Sequence, residues 1–174
     1  MKEIEGILDF IVEVEKLKSV TRKTKPIGLE RYENSAEHSW HVSLLALLLK
    51  DYANENIDID KVIRMLLIHD LGEIDGGDKI IYSSEIDEQK EIEAKGLRRL
   101  LSSLEDEKAA EYFDLWIEFE AGKTPESKYA KSIDRIPPLL HNIHGNGHSW
   151  KENSVSSEKV FEVNSRIEKG SSPV

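Results

Sequence analysis

Apolar residues return at three- and four-residue intervals along most of this chain, and that period restricts it to helices that each bury one face. Ile4, Ile7, Leu8, Ile11, Val14 and Leu17 predict a first helix over about Lys2 to Ser19. Ser35 as N-cap, Glu37 close behind it and the run Val42 to Leu49 predict a second, ending near Tyr52. Positions 38, 41, 45 and 48 form one stripe of it, so His38 and His41 are expected on the side that buries Leu45 and Leu48. Asp58 or Asp60 can cap a third helix, in which Val62, Met65, Leu66, His69 and Glu73 share a face. Gly72, Gly76 and Gly77 end it and open a loop through Asp78 to Ser84, whose Ile80, Ile81 and Tyr82 read as a lid or pocket wall.

Two amphipathic packing helices follow, over Ser84 to Leu104 and Glu107 to Ala121, the second stopped by Gly122. Thr124-Pro125-Glu126 is a strong helix start, and the helix it opens carries Tyr129, Ile133 and Asp134. Pro137 and Pro138 lack amide donors, which predicts a break just after Asp134. Gly145 to Asn153 reads as a loop, and Val160, Val163 and Ile167 support a final helix before a tail expected to fray from Gly170. With no repeat and no convincing strand pair, the expectation is an all-α, single-domain bundle of about six to eight helices over residues 1–174.

Composition narrows what such a bundle can do. The chain has no cysteine, so any bound metal must use nitrogen and oxygen donors, that is His, Asp and Glu. A formal net charge of -10 argues against a nucleic-acid polymer as partner, since that affinity comes from Lys and Arg displacing counterions. A small anion remains a suitable ligand, because Lys16, Lys18, Arg22, Lys23 and Lys25 cluster in an otherwise acidic chain, either as a phosphate pocket or as a solvated loop. The apolar run Leu44 to Leu49 is far short of the roughly 20 residues a bilayer crossing needs, and Met1-Lys2-Glu3 opens no secretory signal. A soluble, cytoplasmic protein with no membrane partner is expected.

The pair His69-Asp70 closes an apolar helix, where an uncompensated buried carboxylate would cost several kcal/mol. A divalent cation would neutralise it; so would a salt bridge or a capping role beside a packed histidine. His38 on the buried stripe of the preceding helix, and Asp134 beside the prolines, let four donors from three helices converge.

The succession Ser35-Ala36-Glu37-His38, His69-Asp70-Leu71-Gly72-Glu73, Gly77-Asp78 and Asp134 resembles the HD-domain metal-dependent phosphohydrolases, within them most closely the subgroup of deoxynucleoside 5'-monophosphatases. Arg31-Tyr32-Glu33-Asn34 and Leu115-Trp116-Ile117-Glu118-Phe119-Glu120 add to the likeness, which runs from about Leu17 to Asp134. The resemblance implies an HD-type bundle in which His38, His69, Asp70 and Asp134 hold one divalent ion, which could be Mn, Co, Fe, Ni, Zn or Mg. It implies catalytic roles for Glu73 and Asp78, with Glu73 handling the proton of a metal-activated water. Arg22, Lys23, Asp78 and Lys79 are implied as substrate-binding, Arg22 orienting phosphate and Asp78 accepting a hydrogen bond from a sugar hydroxyl.

The implied substrate is a (deoxy)nucleoside 5'-monophosphate, and a homodimer is implied as well. Binuclear relatives place further histidines between the His-Asp pair and the last aspartate; none lies between Asp70 and Asp134, so one ion is expected. Two departures bear on the substrate: Lys23 stands where nucleotidase relatives carry an aromatic residue, and Lys79-Ile80 replaces an aliphatic residue and proline. Cleavage of a cyclic nucleotide or a pyrophosphate bond, or a catalytically silent nucleotide-binding regulatory module, are the alternatives. His141, His144 and His148 read as loop or pocket-rim residues, because Gly145 and Gly147 weaken any helix there.

Overall fold

Side chains that bond their own backbone set several of the helix starts, at Asn34, Asp58, Thr124 and Ser156. The structure, a computed structural model, describes residues 2–80 and 86–173, and among these residues it contains helices and no strand. Helix α1 (Lys2–Val14) tightens into a 3-10 turn over Glu15–Ser19. In α2 (Ser35–Leu49) the cap is Asn34, one residue earlier than expected: its side chain accepts from the Glu37 amide, and Glu37 accepts from the Asn34 amide. Asp58 caps α3 (Ile59–Ile68), accepting from the amides of Asp60 and Lys61. A single turn, α4 (Glu73–Gly76), precedes α5 (Ile86–Leu101) and α6 (Asp106–Ala121), which Gly122 stops at φ 60°. Thr124 caps α7 (Pro125–Asp134), and the chain breaks at Arg135 before α8 (Ile136–His144), as the prolines require. A short α9 (His148–Glu152) lies inside the segment expected to be loop, and α10 (Ser157–Asn164) runs into a 3-10 turn over Ser165–Lys169. Ile81, Tyr82 and Ser84, read from sequence as lid and helix start, lie outside the described residues.

Helix α3 packs between α2 and α7, with α6 closing over it. Val42, Ala46, Val62, Met65, Leu66, Tyr129 and Ile133 are fully enclosed, and the Tyr129 hydroxyl donates to the Ala46 carbonyl at 2.9 Å. The buried face of α2 is not the one its leucines predict. Ser35, His38, Ser39, Val42, Ser43 and Ala46 face inward, while Leu48 is 68% exposed and Trp40, Leu44 and Leu47 are exposed with it. A helix face met by α3, α7 and α8 needs small residues at its contacts, and the buried hydroxyls of Ser39 and Ser43 are satisfied by carbonyls four residues back.

The third helix also ends earlier than periodicity suggests. Leu71 bonds back to Ile68 and Glu73 to Asp70, so three-residue bonds tighten the chain at His69-Asp70 and Glu73 opens a separate turn. Gly72 permits this: a Cβ there would stand 2.6 Å from the Glu93 carbonyl oxygen on α5. Gly72→Ala is therefore expected to destabilise by about 1–3 kcal/mol through overpacking, read as a lower urea midpoint.

The expected fraying from Gly170 does not occur through Ser172. Asn54 donates from its backbone amide to the Gly170 carbonyl at 2.9 Å, the Ser171 hydroxyl donates to the Tyr52 carbonyl at 2.8 Å, and Ser171 is fully buried. Further anchors hold the tail where hydropathy alone offers none: the Ser172 amide and hydroxyl donate to the Asn54 side-chain oxygen at 2.8 and 2.9 Å.

Candidate metal centre

Three elements deliver four donors to one point. His38, on the first turn of α2, is fully buried; His69 and Asp70 sit in the tight turn after α3; Asp134 is the last residue of α7. His38 Nε2 lies 2.8 Å from Asp134 Oδ1, and His69 Nε2 lies 3.4 Å from the same oxygen and 3.1 Å from Asp70 Oδ1. One donor atom each from His38, His69 and Asp134 falls within 4.8 Å of the others, and Asp70 joins them through His69.

Hydrogen bonding decides which ring nitrogen is available. His69 Nδ1 is 2.7 Å from the Leu66 carbonyl, an acceptor, so Nδ1 carries the proton and the neutral ring presents a lone pair at Nε2. That nitrogen is buried without a hydrogen-bond partner and faces two carboxylates. Lone pairs at 3.1 and 3.4 Å repel unless a shared cation or an added proton lies between them. With no cation, burial opposes protonation of His69 but Asp70 and Asp134 outweigh it, and the pKa is pushed up to about 9. The Trp116 indole N–H donates to the His69 carbonyl at 3.2 Å and the Phe119 ring packs 5.1 Å away, fixing the imidazole.

Around this point stands a ring of acids with Arg22 among them. Arg22 Nη1 is 2.7 Å from Asp70 Oδ2 and 3.7 Å from Asp78 Oδ1, and its side chain is only 12% exposed, which removes the solvated-loop reading for this residue. Burial opposes the charge on Arg22, yet Asp70, Asp78, Glu73 and Asp134 together raise its pKa. Glu73, buried, accepts from the Ser35 hydroxyl at 2.7 Å, and burial first, then Asp70, raises its pKa well above the usual carboxylate range. Burial and Asp70 raise Asp78 too, against Arg22 and Lys23. Burial favours a neutral Asp134 carboxyl, but its hydrogen bond to His38 and the nearby His69 ring hold it well below the ordinary value. The donor set of two imidazoles and two carboxylates fits first-row ions.

The centre opens into a cavity of about 310 Å³ lined by Arg22, Glu73, Asp78, Lys79 and Ile80, among others. Ile80 thus forms wall, as expected. Lys23 is exposed and, with Lys79, lines a smaller neighbouring cavity that also touches Arg22 and Asp78. Sequence reading missed several groups here. Glu33 is buried with its Oε2 3.5 Å from both His38 Nδ1 and Arg22 Nε; Glu93, on the cavity wall, is raised to about 7 by burial, with Asp70 and Glu120 adding. Lys131, also on the wall, pairs with Glu120 at 3.4 Å. Lys131 left a trace in sequence, one helical turn before Asp134, and Glu33 one within Arg31-Tyr32-Glu33-Asn34, though neither showed its place at the site.

Residues 14–174 match the family model of the HD domain. The chain belongs to the HD-domain family. Its HD domain is similar to a crystal structure described as a predicted metal-dependent phosphohydrolase from Magnetospirillum magnetotacticum MS-1, at 42% identity and a TM-score of 0.94, covering 99% of this chain and 87% of the other. Among curated proteins it is 32% identical over 119 residues to the 5'-deoxynucleotidase HDDC2 of Dictyostelium discoideum, covering 65% of this chain and 63% of that protein. It is 26% identical over 138 residues to the 5'-deoxynucleotidase HDDC2 of Homo sapiens, covering 78% of this chain and 66% of that one. The chain thus spans just under two thirds of the length of these relatives.

Proposed function

We propose that this HD domain is a metal-dependent phosphohydrolase acting on (deoxy)nucleoside 5'-monophosphates. The observation that carries the reading is the buried Nε2 of His69, a lone pair facing two carboxylates beside a buried arginine. Relatives named as 5'-deoxynucleotidases and a structural neighbour described as a phosphohydrolase support it. His38, His69, Asp70 and Asp134 would hold the ion, of the class Mn, Co, Fe, Ni, Zn or Mg. Such an ion supplies a Lewis acid that acidifies water and offsets charge on phosphoryl oxygens.

The remaining work falls to the chain's own residues. Glu73 accepts the proton of the attacking water, and the Ser35 hydroxyl holds the carboxylate in place at 2.7 Å. Water adds to phosphorus, the bond to the 5' oxygen breaks, that oxygen takes up the proton Glu73 accepted, and nucleoside and phosphate leave. Arg22 offers a planar fork to the phosphate, already desolvated by its burial among acids. Asp78 accepts from a sugar hydroxyl, and Lys23 and Lys79 supply positive charge at the rim.

The test is release of phosphate from nucleoside monophosphates by the purified chain loaded with Mn²⁺ or Co²⁺. Turnover should vanish on chelation and return with metal; turnover indifferent to chelation overturns the reading. A nucleoside product separates it from cleavage of a cyclic or pyrophosphate bond.

The same proposal includes a cytoplasmic homodimer. Among the described residues no helix is long and apolar enough to cross a membrane. The outer face of α2 exposes Trp40, Leu44, Leu47 and Leu48, an apolar patch of the kind that dimers cover. Leu48→Glu is expected to convert a dimer wholly to monomer in light scattering, with helicity unchanged.

A further inference from the structure

Three donors outside the catalytic cluster also converge: Glu33, His41 and His141 each place one ligand atom within 4.8 Å of the other two. We propose that they form a second metal site of the chain, separate from that of His38, His69, Asp70 and Asp134, and selective for a late first-row ion such as Zn²⁺ or Co²⁺. His41 follows His38 by three residues on α2, His141 comes from α8, and Glu33 lies on the extended strip before α2.

The two histidine pairs have similar geometry. The His38 and His69 rings are 5.7 Å apart at 49°, and the His41 and His141 rings are 6.2 Å apart at 35°. Glu33 Oε2 is 3.8 Å from His141 Nδ1. Zinc holds nitrogen and oxygen at roughly 2.0–2.2 Å, so donors sharing an ion stand about 3–3.5 Å apart, and closure needs rotamer adjustment of about an ångström.

The Thr24 hydroxyl lies 3.4 Å from Glu33 Oε2 and 3.3 Å from His141 Nδ1, long contacts that an ion would replace. Among the described residues neither ring nitrogen of His41 has a hydrogen-bond partner. Burial lowers the His141 pKa against the pull of Glu33, keeping the ring in the neutral form that ligates. Glu33 is 2% exposed and His141 5%, whereas a cavity of about 330 Å³ opens beside His141 and gives an ion its entry path and water for the remaining positions. Two imidazoles and a carboxylate with an open position is a known zinc donor set, and it disfavours Mg²⁺ and Ca²⁺, which prefer oxygen.

Glu33 joins the two sites. Its Oε2 also lies 3.5 Å from His38 Nδ1 and 3.5 Å from Arg22 Nε. An ion on Glu33 therefore draws charge away from the ring that serves the first site and from the guanidinium beside Asp70.

The test uses the full chain labelled with ¹⁵N at histidine and stripped of metal, titrated with Zn²⁺ alone. The His41 and His141 ring resonances should shift together, with an equivalent distinct from that which shifts His38 and His69. By dialysis and elemental analysis, His41→Asn and His141→Asn should each lower bound zinc by one equivalent while the His38 and His69 shifts persist. His41 and His141 signals that stay fixed at zinc saturation overturn the site, a result read on the unaltered chain and so independent of whether the variants fold. Silent His38 and His69 signals would instead count against the first centre.

Discussion

Glu73→Gln is expected to lower turnover of a nucleoside monophosphate by roughly 100- to 10,000-fold, the usual contribution of a positioned proton acceptor. The fold should survive the change. Glutamine has the same shape, and its carbonyl oxygen can still accept from the Ser35 hydroxyl that now donates to the carboxylate at 2.7 Å. Stability should hold or rise: burial and the Asp70 charge raise the Glu73 pKa, so the ionised acid weakens the folded state increasingly as pH climbs above its ordinary value of 4.5. An amide carries no such charge. Measured at saturating substrate with metal present, a large fall in kcat alongside an unchanged or higher melting temperature is the expected pair. Turnover near that of the unaltered chain would remove Glu73 from the reaction.

That carboxylate also shows how far periodicity can be trusted. The spacing of His69 and Glu73 places them one turn apart on a continuous helix, but the backbone tightens to three-residue bonds at Asp70, and Gly72 presses against α5. The two side chains still reach one cavity, because the tight turn carries them around the same corner. Helix termini were legible where chemistry is local. Thr124 and Pro125 start α7, Gly122 ends α6, and the proline pair breaks the chain after Asp134.

The inward face of α2 was not legible, and the reason is volume. The stripe through His38 and His41 predicts Leu45 and Leu48 as buried, yet Leu48 is exposed and close approach by neighbouring helices admits Ser35, Ser39, Ser43 and Ala46 beside His38 and Val42. Leucines displaced outward become an exposed apolar surface. Glu33 was hidden for a different reason. It belongs to no periodic segment and reaches the centre through tertiary pairing: the Arg22 amide donates to its carbonyl at 2.8 Å, its own amide donates to Thr24 at 2.9 Å, and Thr21 bridges Asn34. The same pairing puts Arg22 beside Asp70, so one strip of chain supplies both the guanidinium and the acid behind His38.

Removing the divalent ion should cost more thermal stability at pH 9 than at pH 6. In the metal-free chain the His69 pKa rises from 6.5 to about 9, with burial opposing and Asp70 and Asp134 prevailing. A raised base contributes stability that is fully present below its unfolded pKa and lost as pH rises through the folded one, here between about 6.5 and 9. Glu73, an acid with a raised pKa, adds loss in the same direction. Protons thus substitute for the cation at low pH, and their departure leaves carboxylates facing lone pairs.

A bound ion reverses the trend, since protons compete with it for the histidines and binding tightens as they leave. A shift of this size corresponds to on the order of 3 kcal/mol, and at about 2–4 °C per kcal/mol for a chain of this length the gap between loaded and chelated melting temperatures should widen by roughly 10 °C across that window. Melts with and without chelator at pH 6, 7.5 and 9 read it directly. In Asp134→Asn the widening should collapse, because the oxygen shared by both histidines, 2.8 and 3.4 Å from their Nε2 atoms, no longer carries the charge that holds either proton or ion. A gap that stays constant with pH in the unaltered chain would mean that the ion binds somewhere these histidines do not face.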